Sequence, residues 1–290
     1  MANLKEIRVR IKSVQSTQQI TSAMKMVSAA KLRRAQDAIT RMRPYALKLQ
    51  EILSNLSSSL DSSENLYSQE REVKKALLVT IASNRGLAGA FNANVIKASQ
   101  RWIALNPGVE VEYLTLGKKA NDALKKSGKV KNPSFASMHS EVYDNLNFSY
   151  VSDIATEVMA HFVKGEYDQV ILFYNSFKNA ASQIVMTEQF LPVLAPESEV
   201  EVTGNVDYLF EPSKEEIVKD LIPKSLRIQF YKALLDSHAG EHGARMTAMH
   251  KATDNAGDLL KDLKLTYNKA RQASITGEIL EIVGGAEALS

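Results

Sequence analysis

The two ends of the chain carry long stretches in which apolar or small residues recur at alternating steps of three and four. One stretch runs from Leu4 to Leu60 and the other from Leu235 to Ser274. This spacing is typical of the seam of a coiled coil. Only 7 Pro and 13 Gly occur in 290 residues, so few points exist at which such helices would be interrupted. The sequence therefore predicts a long helix at each end.

Between these helices, from Val73 to Val193, short apolar runs alternate with helical stretches. The apolar runs lie at residues 76–82, 109–116 and 170–174. Strands that alternate with helices indicate a parallel α/β sheet. A further extended run at 184–193 contains Pro192, which favours an edge position in the sheet.

The order of these regions determines the topology. One long helix leads into the α/β region and the other leads out, so helices that pack side by side from this common base must run antiparallel. The predicted fold class is α/β with long helices: an antiparallel two-helix coiled-coil stalk formed by both termini, and a central Rossmann-like α/β domain. We expect a stalk of residues 1–62 and 213–290, an α/β domain of residues 73–195, and a connecting segment at 196–212.

Local signals predict the ends and bends of the long helices. The polar cluster at residues 61–63 should end the first, and Pro44 should kink it because proline removes a backbone hydrogen bond. The second helix should begin after Pro223, preceded by a shorter helix capped by Ser213, and should stop at residues 284–285, which are both glycine.

Polar residues interrupt the seam in the middle of the first helix, and the apolar stripe moves to one side. The polar residues are Gln18, Thr21, Lys25 and Ser28, and the displaced stripe is formed by Ile20, Met24 and Val27. An adjustment of the supercoil would explain the shift. The alternative is that this segment faces something other than its helical partner.

Charge is distributed unevenly along the chain. The formal net charge is +3, yet residues 1–56 contain eleven basic and three acidic residues and carry +8. Such a block predicts a negatively charged partner, which could be a nucleic acid, an anionic lipid or an acidic protein surface. The absence of cysteine excludes disulfides, thiolate nucleophiles and iron–sulfur clusters. The basic N-terminus has no apolar signal region, and no run of about 18 apolar residues follows.

Two short motifs resemble a nucleotide-binding site and a zinc site, but in both cases a purely structural role is the better interpretation. The segment Ser83–Asn92 follows the first strand and is rich in glycine, but it has neither the spacing of a dinucleotide fingerprint nor the lysine of a P-loop. A tight turn between strand and helix is the better interpretation. His238, Glu241 and His242 match the HxxEH pattern of inverted zinc proteases. We expect no metal there, with His238 and Glu241 solvated and His242 in the seam.

Longer motifs resemble the gamma subunit family of bacterial F-type ATP synthase. They lie at residues 7–34, 83–92, 241–249, 252–256 and 267–279, and include SVQSTQQITSAMKMVSAAKLRR, SNRGLAGAFN and YNKARQASITGEI. The resemblance therefore covers nearly the whole chain in order. Position 238 usually holds a residue other than histidine in this family, and the chain lacks the cysteine-bearing regulatory insertion of its chloroplast members.

The resemblance implies a rotor that couples rotation of a membrane c-ring to ATP synthesis, or to proton pumping driven by ATP hydrolysis. The chain would be a non-catalytic subunit with no cofactor, metal or catalytic residue of its own. One copy would lie within three alpha and three beta subunits, and its α/β domain would contact the epsilon subunit and the c-ring. It would bind no nucleic acid and insert no segment into the membrane, and would be a peripheral protein on the cytoplasmic face of the bacterial inner membrane.

The resemblance also implies which side chains contact partners. Lys25, Arg33 and Arg34 would face acidic loops of the beta subunits, and Met24 and Arg245 match the family's contact region for those loops. Four further residues match a polar catch between the C-terminal helix and a beta-subunit loop: Arg271, Gln272, Thr276 and Glu278. An apolar tip would lie in a hydrophobic bearing, unless it continues the seam: Ile279, Leu280, Ile282 and Val283.

Two other functions fit parts of the sequence. One is an α/β nucleotide-binding enzyme that dimerises by a coiled coil. The other is a coiled-coil scaffold for nucleic acid, whose binding would weaken steeply with salt.

Overall fold

A computed structural model describes residues 4–57, 66–69, 71–130, 141–144, 146–193 and 214–287. The connecting segment expected at 196–212, the polar cluster at 61–63 and the capping residue Ser213 lie outside these residues. The chain divides into two compact units. We call Met1–Ala29 with Arg245–Ser290 the terminal unit, and Ala30–Ala244 the central unit.

Two helices are much longer than all other described elements: α1 (Leu4–Ser57) and α5 (Lys214–Glu287). Both long helices are therefore confirmed, but the expected ends of α5 are wrong. This helix begins more than two turns before Pro223, and it continues through the glycines at 284–285. Helix α1 likewise runs through Pro44 without ending.

Burial on the C-terminal side of Pro223 explains why the helix tolerates this residue. An internal proline costs about 3 kcal/mol in a helix. Leu226, Phe230 and Leu234 follow it at helical spacing, and each is at most 3% exposed. Because burying a large apolar side chain contributes about 1.5–3 kcal/mol, these three residues together outweigh the cost of the proline.

In the terminal unit, α1 and α5 pack side by side in opposite directions. Arg8 donates a hydrogen bond from its guanidinium to the Tyr267 hydroxyl over 2.7 Å. Further along α1, the Thr253 hydroxyl donates to Thr21 Oγ1 over 2.8 Å. As residue numbers rise along α1, partner numbers fall along α5, which confirms the predicted antiparallel pair.

The seam of this pair does not shift in the middle of α1. Thr21 and Ser28 are 9% and 3% exposed, whereas Ile20 and Val27 are 60% and 58% exposed. The seam therefore continues through polar residues, and the apolar stripe faces outward. The hydroxyls pair locally: Ser28 donates to the Met24 carbonyl, so a small polar side chain fits in the seam without an unpaired donor.

A four-stranded sheet lies in the central unit, with strand order β2-β1-β3-β4. Its strands are β1 (Lys75–Ile81), β2 (Glu110–Leu116), β3 (Gln169–Asn179) and β4 (Ser182–Leu191). The helices between them are α2 (Phe91–Leu105), α3 (Lys118–Leu124) and α4 (Phe148–Val163). Strand β1 is parallel to both β2 and β3, as expected for an α/β fold.

Strand β4 makes the sheet mixed, because it pairs antiparallel with β3 at the edge. The edge position agrees with the prediction from Pro192, whereas the antiparallel direction of this strand does not follow from the sequence pattern. A tight turn accounts for the reversal. The Asn179 side chain accepts hydrogen bonds from the backbone N–H groups of Ala181 and Ser182, and so closes the hairpin.

Both faces of the sheet are covered. On one face, α4 and the first part of α5 form a core with Val158, Phe162, Phe230 and Leu234 at its centre. On the other face, α2 and α3 cover a smaller core that includes Val95. Burial on both sides explains why β1 is apolar along most of its length, with Thr80 as a buried exception. Within the described residues, no helix has an apolar stretch long enough to cross a bilayer.

Candidate partner-binding surfaces

The glycine-rich segment after β1 forms a closed turn. The Ser83 backbone N–H donates to Asn92 Oδ1, and the Ser83 hydroxyl bonds to the Arg85 carbonyl. Asn84 Oδ1 accepts a hydrogen bond from the Lys118 backbone at the end of the neighbouring strand. These polar groups therefore hold the turn itself, in agreement with the plainer interpretation of the motif.

The neighbouring crevice is filled by α5. In doubly wound sheets, ligands bind beyond the carboxyl ends of the strands, at the point where the strand order reverses. In this sheet that point lies between β1 and β3. A Cβ at Gly240 would lie 3.3 Å from the Phe91 ring and 3.5 Å from the Asn175 carbonyl. A Cβ at Gly243 would lie 3.2 Å from the Ala180 backbone. The two glycines thus allow α5 to occupy the position of a nucleotide.

The same contact corrects the prediction for the HxxEH motif. Glu241 and His242 are 6% and 5% exposed, and His238 is half-buried with its ring stacked on Tyr143 at 5.7 Å. The expectation that Glu241 is solvated is therefore wrong, because this part of α5 packs within the central unit, whereas His238 keeps part of its surface exposed. Burial raises the pKa of Tyr143, and the Glu241 carboxylate raises it further. In the described part of the chain, no three His, Asp or Glu side chains converge as a metal cluster.

Two of the predicted contact residues lie in the last two turns of the α1 segment of the terminal unit. Met24 and Lys25 are half-buried on α1. Lys25 Nζ lies 3.4 Å from Nδ1 of His250 on α5, so this ammonium already contacts the opposite helix. An exposed apolar patch surrounds them, formed by Ile20, Met26 and Val27. The apolar stripe predicted from the sequence contains Ile20 and Val27 but not Met26, which is 65% exposed.

The remaining basic candidates differ in exposure. Arg33 and Arg34 are exposed on the part of α1 that belongs to the central unit. Arg245 is only 6% exposed, so most of this side chain is covered by the chain itself. A partner could contact the whole side chains of Arg33 and Arg34, whereas only a small part of the Arg245 side chain is accessible to it.

The polar group near the end of α5 is exposed throughout. Arg271, Gln272, Thr276 and Glu278 all face solvent, and Glu278 accepts a hydrogen bond of 3.4 Å from Ser274 one turn earlier. These four side chains lie within two helical turns. They are separated from the Lys25–His250 contact by about 30 Å of helix, at about 1.5 Å per residue. The structure therefore forms two separate surfaces in the terminal unit.

The apolar tip extends past the end of the helix pair. Arg8 contacts Tyr267, and α1 begins only one turn before Arg8, whereas α5 continues for about 30 Å beyond Tyr267. Leu280 and Ile282 are 66% and 71% exposed. The tip therefore does not continue the seam, and its apolar side chains are available to a partner.

Comparison with known proteins gives one consistent family. A family model described as ATP synthase matches residues 3–289. The ATP synthase gamma chain of Flavobacterium johnsoniae is 61% identical over 291 residues and the comparison covers 100% of both chains. The gamma chain of Flavobacterium psychrophilum is 60% identical over 290 residues, which covers 100% of this chain and 99% of that one.

Solved structures show the same fold. A chain of the mitochondrial ATP synthase central stalk and c-ring of Tetrahymena thermophila is 27% identical, with a TM-score of 0.56 over 80% of this chain and 99% of that chain. A chain of the Euglena gracilis mitochondrial ATP synthase, in a structure of OSCP, F1 and c-ring, gives a TM-score of 0.66 at 22% identity. It covers 99% of this chain and 94% of that chain.

Proposed function

This chain belongs to the ATP synthase gamma chain family, and we propose that it acts in the enzyme as a rotor with no catalytic site of its own. It is the central-stalk subunit of an F-type ATP synthase. The observation that carries this conclusion is the match to gamma chains along the whole sequence, at 61% identity. The antiparallel helix pair of the terminal unit, with polar and apolar surfaces left exposed, supports the same function.

The filled crevice favours a rotor over the alternative of a nucleotide-binding α/β enzyme. At the position where such an enzyme would bind phosphate, Gly240 of α5 packs against Phe91 and Asn175. Isothermal titration of the full chain with ATP or NAD should therefore give no tight binding. A site with a dissociation constant in the micromolar range would favour the enzyme instead.

The assemblies named for similar solved structures, which contain an F1 head or a c-ring, support a set of partners. We infer that one copy lies inside a head of three alpha and three beta subunits, and that the α/β domain binds the epsilon subunit and the c-ring. Residues 1–62 and 213–290 would form the shaft, residues 73–195 the foot, and residues 196–212 the connection between them. The complex would lie on the cytoplasmic face of the bacterial inner membrane, with this chain as a peripheral subunit.

Coupling would arise from unequal contacts around the shaft. A helix pair has no threefold symmetry, so three beta subunits around it would each meet a different face at any moment. A conformational equilibrium shifts only when a ligand or partner contacts two states differently. The exposed apolar patch at Ile20, Met26 and Val27, and the polar group from Arg271 to Glu278, offer two such different faces.

Co-purification tests the assignment directly. An affinity tag on this chain should recover alpha, beta and gamma subunits in a ratio of three to three to one from membranes of the source organism. Recovery of a dimer of this chain, without alpha and beta subunits, would contradict the proposal. Under high salt the complex should persist, whereas binding to nucleic acid through the basic helix would be lost steeply.

A further inference from the structure

We propose that His238 and His242 form a binding site for a divalent transition-metal cation such as Zn²⁺, with water in the remaining coordination positions. The two residues lie one turn apart on α5 and belong to the central unit. Imidazoles at positions i and i+4 of a helix face the same side and can bind one ion. This site is independent of the rotor function.

The geometry of the two rings fits a shared ion. The Nε2 atoms are 3.1 Å apart and share a hydrogen bond, so a bound ion would replace the proton that lies between them. The ring centroids are 4.6 Å apart and the ring planes are 84° to one another, so the two Nε2 corners converge. If each nitrogen lies about 2.0–2.1 Å from a metal, as in zinc sites, this separation gives an angle of about 98° at the ion. That angle lies between the cis octahedral and tetrahedral values.

The surroundings hold both rings in place. Tyr143 stacks on the His238 ring with an angle of 21° between the planes, which limits rotation of that imidazole. His242 is 5% exposed, and the neighbouring Gly243 lies close to the Ala180 backbone, so this ring has little room to move. Such support outside the ligands fixes the orientation of metal-binding histidines in other proteins.

Charge and access also favour a cation here. Glu241 lies between the two histidines in sequence and is only 6% exposed. A carboxylate at this depth would offset part of the charge of a bound cation. His238 is only half-buried, which leaves a route for water and for the ion.

The ligand set defines the kind of ion. Imidazole nitrogen suits Zn²⁺, Cu²⁺ and Ni²⁺, whereas Mg²⁺ prefers oxygen. No third His, Asp or Glu side chain completes a cluster within the described residues. The site should therefore keep open coordination positions and exchange its ion, unlike closed structural zinc sites with four protein ligands.

Zinc titration of the full chain tests the site. Calorimetry with ZnCl₂ in a buffer that does not chelate zinc should give one site, and MgCl₂ should give none. We expect His238→Leu and His242→Gln each to weaken zinc binding at least about ten-fold, as loss of one of two ligands requires. The matched control is His250→Gln, which removes an exposed histidine from the same helix. Equal zinc binding by all four proteins, or none by the wild type, would overturn the proposal.

A spectroscopic measurement on the wild-type chain tests directly whether two nitrogen ligands bind the ion. One equivalent of Cu²⁺ added to the wild-type chain should give an electron paramagnetic resonance spectrum with splitting from two nitrogen ligands. A spectrum with oxygen ligands alone would contradict the site. If the His238→Leu chain does not fold, this spectrum and the His242→Gln titration still test the pair.

Discussion

Single glycines determine how closely the elements of this protein approach one another. Gly240 and Gly243 bring α5 onto the carboxyl end of the sheet, where a larger residue would meet Phe91 or the Ala180 backbone. At the neighbouring strand end, Gly117 has a φ of +99°, and a Cβ there would lie 2.0 Å from the Ala82 carbonyl oxygen. A Cβ at any of these three positions would therefore come close to the backbone or side chains around the crevice.

Substitution of Gly117 should destabilise the chain severely. In Gly117→Ala, the new Cβ would combine an unfavourable φ with a backbone clash, so we expect a loss of about 3 kcal/mol or more in the free energy of unfolding. Gly128→Ala, at a φ of +69° in open space, should cost only about 1–2 kcal/mol. Gly108→Ala, also in open space and without a positive φ, is the control. Urea unfolding measures all three, and equal midpoints would contradict this ranking.

The polar group near the end of α5 should matter for turnover and not for folding. Arg271→Ala combined with Gln272→Ala removes two exposed side chains, so the thermal midpoint of the isolated chain should not change. Loss of their hydrogen bonds to a beta subunit should lower ATP turnover of the reconstituted head about ten-fold. Lys269→Ala, exposed on the same helix, is the control. Unchanged turnover in the double variant would exclude this role.

Helix α1 has two faces with different roles. One face forms the seam with α5 and carries Thr21 and Ser28, while Ile20 and Val27 lie on the outer face. A polar seam packs less tightly than a seam of leucine and isoleucine, yet here its hydroxyls are paired. The outer face therefore keeps apolar side chains for a partner, at a modest cost to the helix pair.

Cysteine cross-linking distinguishes the two faces. The chain contains no cysteine, so introduced pairs are the only thiols. Thr21→Cys with Thr253→Cys should form a disulfide readily, because the two hydroxyl oxygens are 2.8 Å apart. Ile20→Cys with Thr253→Cys should oxidise much more slowly, since Ile20 faces outward. Non-reducing electrophoresis measures both rates. If the pair that includes Ile20 oxidises faster, the seam runs through Ile20 and not through Thr21, which would contradict this assignment of the two faces.

The basic charge of α1 should act at particular positions. Arg33→Glu with Arg34→Glu reverses two exposed charges that would face acidic loops of the beta subunits, so we expect proton pumping per ATP hydrolysed to fall several-fold. Arg41→Glu with Arg43→Glu changes the net charge of the same helix equally and is the control. Equal losses in both pairs would mean that only total charge matters. A normal pumping trace in the first pair would contradict the proposed contact.

Helix and strand positions were predictable wherever a periodic apolar pattern was long. Both long helices and the edge position of β4 follow from the sequence. The start of α5 does not, because burial of Leu226 and Phe230 outweighs the local signal of Pro223. Nor does the burial of Glu241, because the neighbouring Gly240 and Gly243 approach residues of β3 and its turn that are far away in sequence. The outward direction of Ile20 depends in the same way on cross-helix hydrogen bonds that periodicity does not show.

For the whole molecule, charge and exposure are concentrated where a partner would act. The net charge of +3 combines a first helix that carries +8 with an acidic remainder. Fixed charge of one sign on one element steers an oppositely charged partner to that element. In the α/β region, α5 packs at the crevice where related folds bind a ligand. This region would therefore stabilise the chain and offer a surface to partners. The surrounding subunits would then catalyse ATP synthesis and hydrolysis, and this chain would rotate within them.

Direct observation of rotation tests this account most directly. The head is assembled from cysteine-free variants of the alpha and beta subunits with this chain carrying Lys126→Cys, an exposed position in the central unit, as its only thiol for attachment of a bead. With the beta subunits fixed to a surface, ATP should drive the bead in one direction with three pauses per turn, one for each beta subunit. Steady ATP hydrolysis by the same complexes while the bead stays still would contradict the rotor.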